Sequence, residues 1–248
     1  MKKVKMEEMS WEEIKEAMEE GVDTVLVMVG SMEQHGPHLP ISTDTLIAEI
    51  LGERIAREIN ALLAPVIRPG CSDHHMDFPG TMTLTPFTLM QVIKEYCESL
   101  AKHGFKNIIL IPTHGGNFAP VNTIAPEIAK DLKGKAKVIV IADLAKFLGT
   151  WAEAAKKFGV SPNDIAHAGA GETSILLAER EELVRKDRLQ KGHIGELNTS
   201  ALFTGGVKTF SKIGIIGDPT KASKEIGEKI IDATVKYFVE KIKKELKE

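Results

Sequence analysis

Residues 24–40 read Thr24-Val25-Leu26-Val27-Met28-Val29-Gly30-Ser31-Met32-Glu33-Gln34-His35-Gly36-Pro37-His38-Leu39-Pro40. The first seven form an apolar run with no polar alternation, the pattern of a strand buried on both faces. Such strands lie in parallel sheets covered by helices. The loop that follows, closed by Asp44, carries Glu33, His35, His38 and Asp44 within residues 33–44. Carboxylate and imidazole donors on a loop stiffened by Pro37 and Pro40 suit a divalent transition metal.

The same alternation of apolar runs and helical patterns continues on either side. Ser10-Trp11-Glu12-Glu13 is a capping box, and Gly21 stops the helix it opens. Leu46, Ile47, Ile50, Leu51 and Ile55 have helical spacing from Asp44 to about Ile59. Leu62 to Ile67 reads as a strand, ending at Pro69-Gly70, and a polar loop rich in His and Asp spans residues 71–80. Thr85-Pro86 opens a helix to about His103, and Gly104 ends it. Strands are expected at Lys106–Pro112 and Lys137–Ala142, with a helix from about Pro120 to Leu132 between them. The remainder is mostly helical, broken at residues 159–168 and 192–217, and a last helix starts near Pro219-Thr220. There is no internal repeat or linker. The expected fold is therefore one α/β domain over residues 1–248, a layered α/β/α arrangement around a mainly parallel sheet.

Composition narrows the class of function. At 248 residues, 43% hydrophobic and 27% charged, the chain has the makeup of a globular protein. A net charge of −3 gives no pull toward nucleic acid or an anionic membrane. No apolar run approaches the ~20 residues of a membrane span. The opening Met1-Lys2-Lys3-Val4 leads into acidic residues, so no signal peptide is expected. Two cysteines cannot form a disulfide framework, which points to the cytoplasm. Three glutamines against many Lys and Glu suggest a thermophilic source.

In parallel α/β sheets, ligands bind at the carboxyl ends of strands. The loops after Val29, Ile67 and Ile111 hold His35, His38, His74, His75 and His114, and His167 lies at a later helix entry. Glu33 and His35 are two apart, so an extended segment points both one way, and Asp44 at a helix start can reach the same point. That set favours metal ligation over a helix cap and a surface His. In Thr113-His114-Gly115-Gly116-Asn117, the Gly pair admits either close approach to a metal or a phosphate-binding nest. Glu172 reads as a helix cap or as a second metal's ligand. Ser72 and His75 are candidate substrate contacts; with Asp73 they form no catalytic triad, and there is no Gly-x-Ser-x-Gly elbow. Cys71 reads as a small buried residue, and His103 and His193 as surface residues.

The loop at residues 30–40 with Thr43-Asp44 resembles the signature of the creatininase (creatinine amidohydrolase) family. The resemblance continues at Phe78-Pro79-Gly80-Thr81, His114-Gly115-Gly116-Asn117, His167-Ala168-Gly169 with Glu172-Thr173-Ser174, and residues 214–219. It implies a dinuclear centre of two divalent ions per chain (Zn, Mn or Fe). It also implies hydrolysis of a small-molecule amide by a metal-activated water, and a homo-oligomer, often a hexamer. By motif, Glu33, His35, Asp44 and His114 match metal ligands, with Asp44 bridging. In creatininase proper the His of the third motif is followed by Tyr and a ligating Glu, which are Gly115 and Gly116 here. Glu172 is the candidate to replace the lost carboxylate. Gly115, Gly116, Asn117 and Asp164 join Ser72 and His75 as candidate substrate contacts. His167 is the first candidate for the general acid, with Glu172 second. Asn163 stands where creatininase has an aromatic residue, which argues against creatinine. Relatives with the Gly-Gly version include a deformylase of a formylamino-pyrimidine nucleotide on the route to riboflavin and deazaflavin, and a hydrolase of mycofactocin maturation. The expected substrate is thus a formamide or cyclic amide. Creatinine hydrolysis, phosphoester hydrolysis and a metal-stabilised scaffold are the alternatives.

Overall fold

The computed structural model describes residues 3–247; Met1, Lys2 and Glu248, at the ends of the expected domain, lie outside the described residues. Four strands, β1 (Thr24–Val29), β2 (Leu62–Leu63), β3 (Asn107–Pro112) and β4 (Lys137–Val140), form a parallel sheet in the order β2-β1-β3-β4. Val27 pairs with Leu110, and Leu110 with Val140, which sets the register of the three longer strands.

Successive strand side chains point to opposite faces, and both faces are covered. Leu26, Met28, Ile109, Ile111 and Ile139 pack under α2 (Thr43–Glu58), α5 (Leu144–Ala155), α7 (Ala170–Glu179) and α9 (Lys224–Glu245). Val25, Val27, Val29, Ile108 and Leu110 pack under α1 (Trp11–Glu19), α3 (Pro86–His103) and α4 (Phe118–Asp131). The expected α/β fold with a covered parallel sheet is the observed one. The Ser10 capping box is present, with Glu13 N–H donating to Ser10 Oγ and Ser10 N–H to Glu13 Oε2.

Four expectations need correction. The strand expected at 62–67 is paired only at Leu62–Leu63, with an isolated bridge from Ile67 to Val29. Ala64 N–H donates to Leu26 O at 2.8 Å, but the next bond to β1 comes from Ile67 N–H to Met28 O at 3.0 Å, one residue later than an even ladder requires, so pairing lapses between them. The last helix begins at Lys224, capped by Ser223, because Pro219–Lys221 forms a separate 3-10 turn capped by Asp218. His193 is half-buried rather than on the surface; its ring stacks edge-on against Phe210 at 5.6 Å. Short helices α6 (Pro162–Ile165) and α8 (Thr199–Gly205) cross the region expected to be irregular.

Candidate metal centre

Every strand of a parallel sheet delivers its loop to the same edge, and here those loops converge. Glu33 and His35 lie beyond β1, where Glu33 N–H donates to Ile41 O at 2.8 Å and turns the loop back toward α2. Asp44 sits in the first turn of α2, and Thr113 Oγ1 donates to its backbone carbonyl at 3.0 Å. His114 follows β3 directly. Glu172 is in the first turn of α7, where Ala168 N–H donates to Glu172 Oε2 at 2.6 Å.

Asp44 stands between two histidines: Oδ1 is 3.6 Å from His35 Nε2, and Oδ2 is 3.4 Å from His114 Nδ1. Glu172 Oε1 is also 3.6 Å from His35 Nε2. Glu33 Oε2 lies 3.2 Å from His114 Nε2, while Glu33 Oε1 lies 3.2 Å from His75 Nε2 and 3.6 Å from His167 Nδ1. Two overlapping donor sets result, Glu33–Asp44–His114 and His35–Asp44–Glu172, each with donor atoms within 4.8 Å of one another. Asp44 belongs to both. A third grouping, Glu33–His35–His167, borders them.

Backbone carbonyls accept and never donate, so they decide where ring protons sit. His35 Nδ1 faces Glu33 O at 3.0 Å, His114 Nε2 faces Cys71 O at 2.9 Å, and His167 Nε2 faces Gln34 O at 2.9 Å. His35 Nδ1 and His114 Nε2 therefore carry a hydrogen, and in the neutral ring the other nitrogen presents a lone pair. His167 Nε2 meets both Gln34 O and the Gln34 Nε2 amide, each at 2.9 Å, and can donate to the one or accept from the other. The lone pairs on His35 Nε2 and His114 Nδ1 face carboxylate oxygens. Lone pair against carboxylate is repulsive unless a cation or a proton lies between. Metal-ligating histidines are held in this way, with the second ring N–H on a carbonyl.

Charge balance leads to the same conclusion. Glu33 and Asp44 are 0% and 2% exposed, and among the described residues their ion-pair partners are histidines, without a Lys or Arg. Glu33 Oε1, Asp44 Oδ2 and His35 Nε2 are buried without a hydrogen-bond partner among the described residues. Buried charges are stable only when paired or ligating. Burial works against a charged His35, but the carboxylates of Glu172 and Asp44 outweigh it and lift the ring well above its ordinary pKa. Burial opposes a charged His114 too, and Glu33 and Asp44 prevail there. Burial also acts to raise Asp44, yet His35 and His114 hold its carboxyl far below the usual range. For Glu172 burial dominates and raises it. His75 and His167 are held well below their ordinary value by burial and by neighbouring imidazoles, so both are neutral. A site that must either protonate two buried histidines or take up cations fits a pair of divalent ions.

The remaining candidate residues divide. His75, Gly115, Gly116 and His167 line a cavity of about 340 Å³ over the carboxylates. Ser72, Asn117 and Asp164, expected as substrate contacts, do not line that cavity, and their polar atoms are held by neighbouring residues. Ser72 is fully buried, 2.5 Å from Ser31 Oγ, which in turn donates to Glu33 Oε2 at 3.3 Å. Asn117 accepts from Cys71 N–H at 2.9 Å and donates to Gly30 O at 2.8 Å, tying the ends of three loops together. Asp164 caps α6 through Ser161 and receives Lys221 Nζ at 2.8 Å, which uses its carboxylate away from the cavity. Cys71 is buried as expected.

Gln34 has a role the sequence reading did not assign. Its Nε2 donates to His75 Nδ1 and Gly214 O, each at 3.0 Å, and its Oε1 accepts from Gly36 N–H at 2.9 Å. A Cβ at Gly214, whose φ is +78°, would lie 1.8 Å from Gln34 Oε1, so the contact requires glycine. No periodicity marks such a residue; only its place between two ligand candidates does.

Comparison with known proteins agrees with this geometry. The family model "Creatininase: Creatinine amidohydrolase" matches residues 7–242. The mycofactocin precursor peptide peptidase of Mycolicibacterium smegmatis is 33% identical over 234 residues, 90% of this chain and 85% of that one. The creatinine amidohydrolase of Pseudomonas putida is 26% identical over 255 residues, covering 98% of both. Among solved structures, a creatinine amidohydrolase superposes with a TM-score of 0.85 at 26% identity, covering 99% of this chain and 98% of that one. A mutant creatininase of Zn-Zn type gives 0.85 at 27% identity, covering 99% of both chains. With ligand candidates, fold and sequence match in accord, the chain belongs to the creatininase family of hydrolases.

Proposed function

We propose that this protein is a metal-dependent amidohydrolase that cleaves a non-peptide C–N amide bond, of a formamide or a cyclic amide, at a dinuclear centre. One observation carries the reading: Asp44 is shared by two buried donor sets whose lone pairs otherwise face carboxylates. Glu33, Asp44 and His114 would hold one ion, and His35, Asp44 and Glu172 the other. Bound divalent ions supply a water of lowered pKa and polarise the amide carbonyl. His167 lines the cavity with Nδ1 3.6 Å from Glu33 Oε1, where its ring would take the proton of the attacking water and return it to the leaving nitrogen. With Glu172 held as a ligand, His167 is the proton carrier. A Cβ at Gly115 would meet nothing within 4 Å, so the missing side chain there leaves the cavity open to the amide. A single domain is supported by the family match over residues 7–242. A homo-oligomer, hexameric by resemblance, and a cytoplasmic setting belong to the same proposal. They are supported by exposed Trp11 and Phe87 and by two buried free cysteines, and sedimentation tests the first.

The test is paired. Asp44→Ala should remove both ions and turnover of a formamide and lactam panel; two ions per chain retained would refute the bridge. His167→Ala should keep two ions and depress the chemical step; loss of an ion would make His167 a ligand.

A further inference from the structure

We infer that the substrate presents a neutral, apolar side chain of leucine-to-phenylalanine size beside the scissile amide, and no phosphate. This rests on the metal-centre reading above, which places that amide over Asp44. On its far side the cavity is walled by Leu148 and Trp151 of α5, Ile165 of α6, Leu202 and Phe203 of α8, and Val207. No Lys, Arg, Asn or Gln lines it among the described residues. A phosphate there would lose its hydration and meet no cationic side chain; the Thr199 hydroxyl and the Trp151 indole N–H are the donors on that wall, too few for a dianion. Lys221 gives its charge to Asp164 at 2.8 Å. At about 340 Å³, with ~30 Å³ for each liquid water, the cavity holds roughly eleven water-sized groups. That is space for an amide and one such side chain. The mouth points the same way: Phe203 is 51% exposed, its ring 4.8 Å from His74, on a short helix packed over the Asp73–His75 turn. A large aromatic left half in water at a cavity rim gains by an apolar occupant.

The chain supplies its own reporter. Its two tryptophans are Trp151 in the wall and Trp11, 72% exposed at the surface. In a Trp11→Phe protein loaded with zinc, emission therefore reports Trp151. The probes are N-formyl-phenylalaninamide, N-formyl-glycinamide and N-formyl-phosphotyrosinamide. The phenylalanyl probe should saturate the signal at a concentration at least tenfold below the glycyl one, from burial of its side chain. The phosphotyrosyl probe should not saturate. Leu202→Lys, checked for unchanged metal content and melting, should weaken the first and admit the third. Equal or tighter binding of the glycyl or phosphotyrosyl probe overturns the inference. Turnover of all three formamides with the wrong order of binding sinks the inference and leaves the amidohydrolase standing. The right order of binding with no hydrolysis of any amide sinks the amidohydrolase and leaves the wall's preference.

Discussion

Glu172→Gln separates a ligand from a helix cap, because the two roles predict opposite responses with and without metal. In the metal-free protein, Glu172 Oε1 is 3.6 Å from His35 Nε2, and at an effective dielectric of 20 a full charge pair at that distance is worth about 5 kcal/mol before desolvation. Burial offsets that gain, and it holds the Glu172 carboxyl above its ordinary pKa. For a raised carboxyl the sign is fixed: its stabilising effect is complete below the unfolded value and is lost as pH rises through the folded one. At neutral pH the glutamine variant escapes that loss, and its amide oxygen still accepts from Ala168 N–H. Metal-free melting should therefore move by less than about 4 °C and not downward beyond that, since 1 kcal/mol shifts a chain of this size by about 2–4 °C. With metal the result reverses. Outer partners of a metal site already cost 10–100-fold in affinity, so a direct carboxylate ligand should cost at least about 100-fold, or about 2.7 kcal/mol. Wild type with zinc at 1,000 times its dissociation constant gains about 4 kcal/mol. At the same zinc concentration the variant should keep well under half of that. Differential scanning fluorimetry with and without zinc, beside elemental analysis, reads both numbers. Equal losses of melting temperature with and without metal would show that Glu172 only caps α7, and a full zinc-induced rise in the variant would refute its ligation.

Two further outcomes follow from other parts of the structure. A Cβ on Gly116 would stand 2.1 Å from Cys71 O, so Gly116→Ala should destabilise the fold by about 1–3 kcal/mol in urea titration; a neutral result would refute the close approach. Burial lowers the His38 ring to about 4, with Thr173 Oγ1 3.0 Å from its Nε2, so the unfolded chain binds the extra proton first as pH falls. In the chelated protein the His38 contribution, read as the difference between wild type and His38→Gln, should be whole above pH 6.5 and should shrink toward pH 4 by up to about 3 kcal/mol; a difference that does not change with pH would refute it.

The fold was largely readable because its signals are local. Val25 to Val29 and Ile108 to Ile111 are apolar at every position, which only a sheet covered on both faces accommodates, and Leu89, Ile93, Cys97 and Leu100 keep helical spacing beneath it. The misreading at 62–67 arose where a local signal was outvoted: Leu62, Leu63, Val66 and Ile67 are all buried, but their ladder to β1 loses its every-second-residue phase between Ala64 and Ile67. Hydrophobic pattern reports burial, and hydrogen bonding decides whether a buried run is a strand.

The site was readable by residue type and unreadable by role. Ser72, Asn117 and Asp164 have the chemistry of substrate contacts, and nothing in their spacing reveals that Ser31, Gly30 and Lys221 occupy their polar atoms. Those partners lie 41, 87 and 57 residues away in the chain. The same holds for the histidines. That His35 and His114 present a lone pair to the carboxylates depends on which ring nitrogen meets a carbonyl, and one of those carbonyls, on Cys71, belongs to another loop. In the proposed centre the relocated carboxylate has a steric cause as well. The third motif passes so close to Cys71 O that no side chain fits at Gly116, so an acid for a second ion would have to enter from another element. The first turn of α7 offers Glu172, whose Oε1 lies 3.6 Å from His35 Nε2.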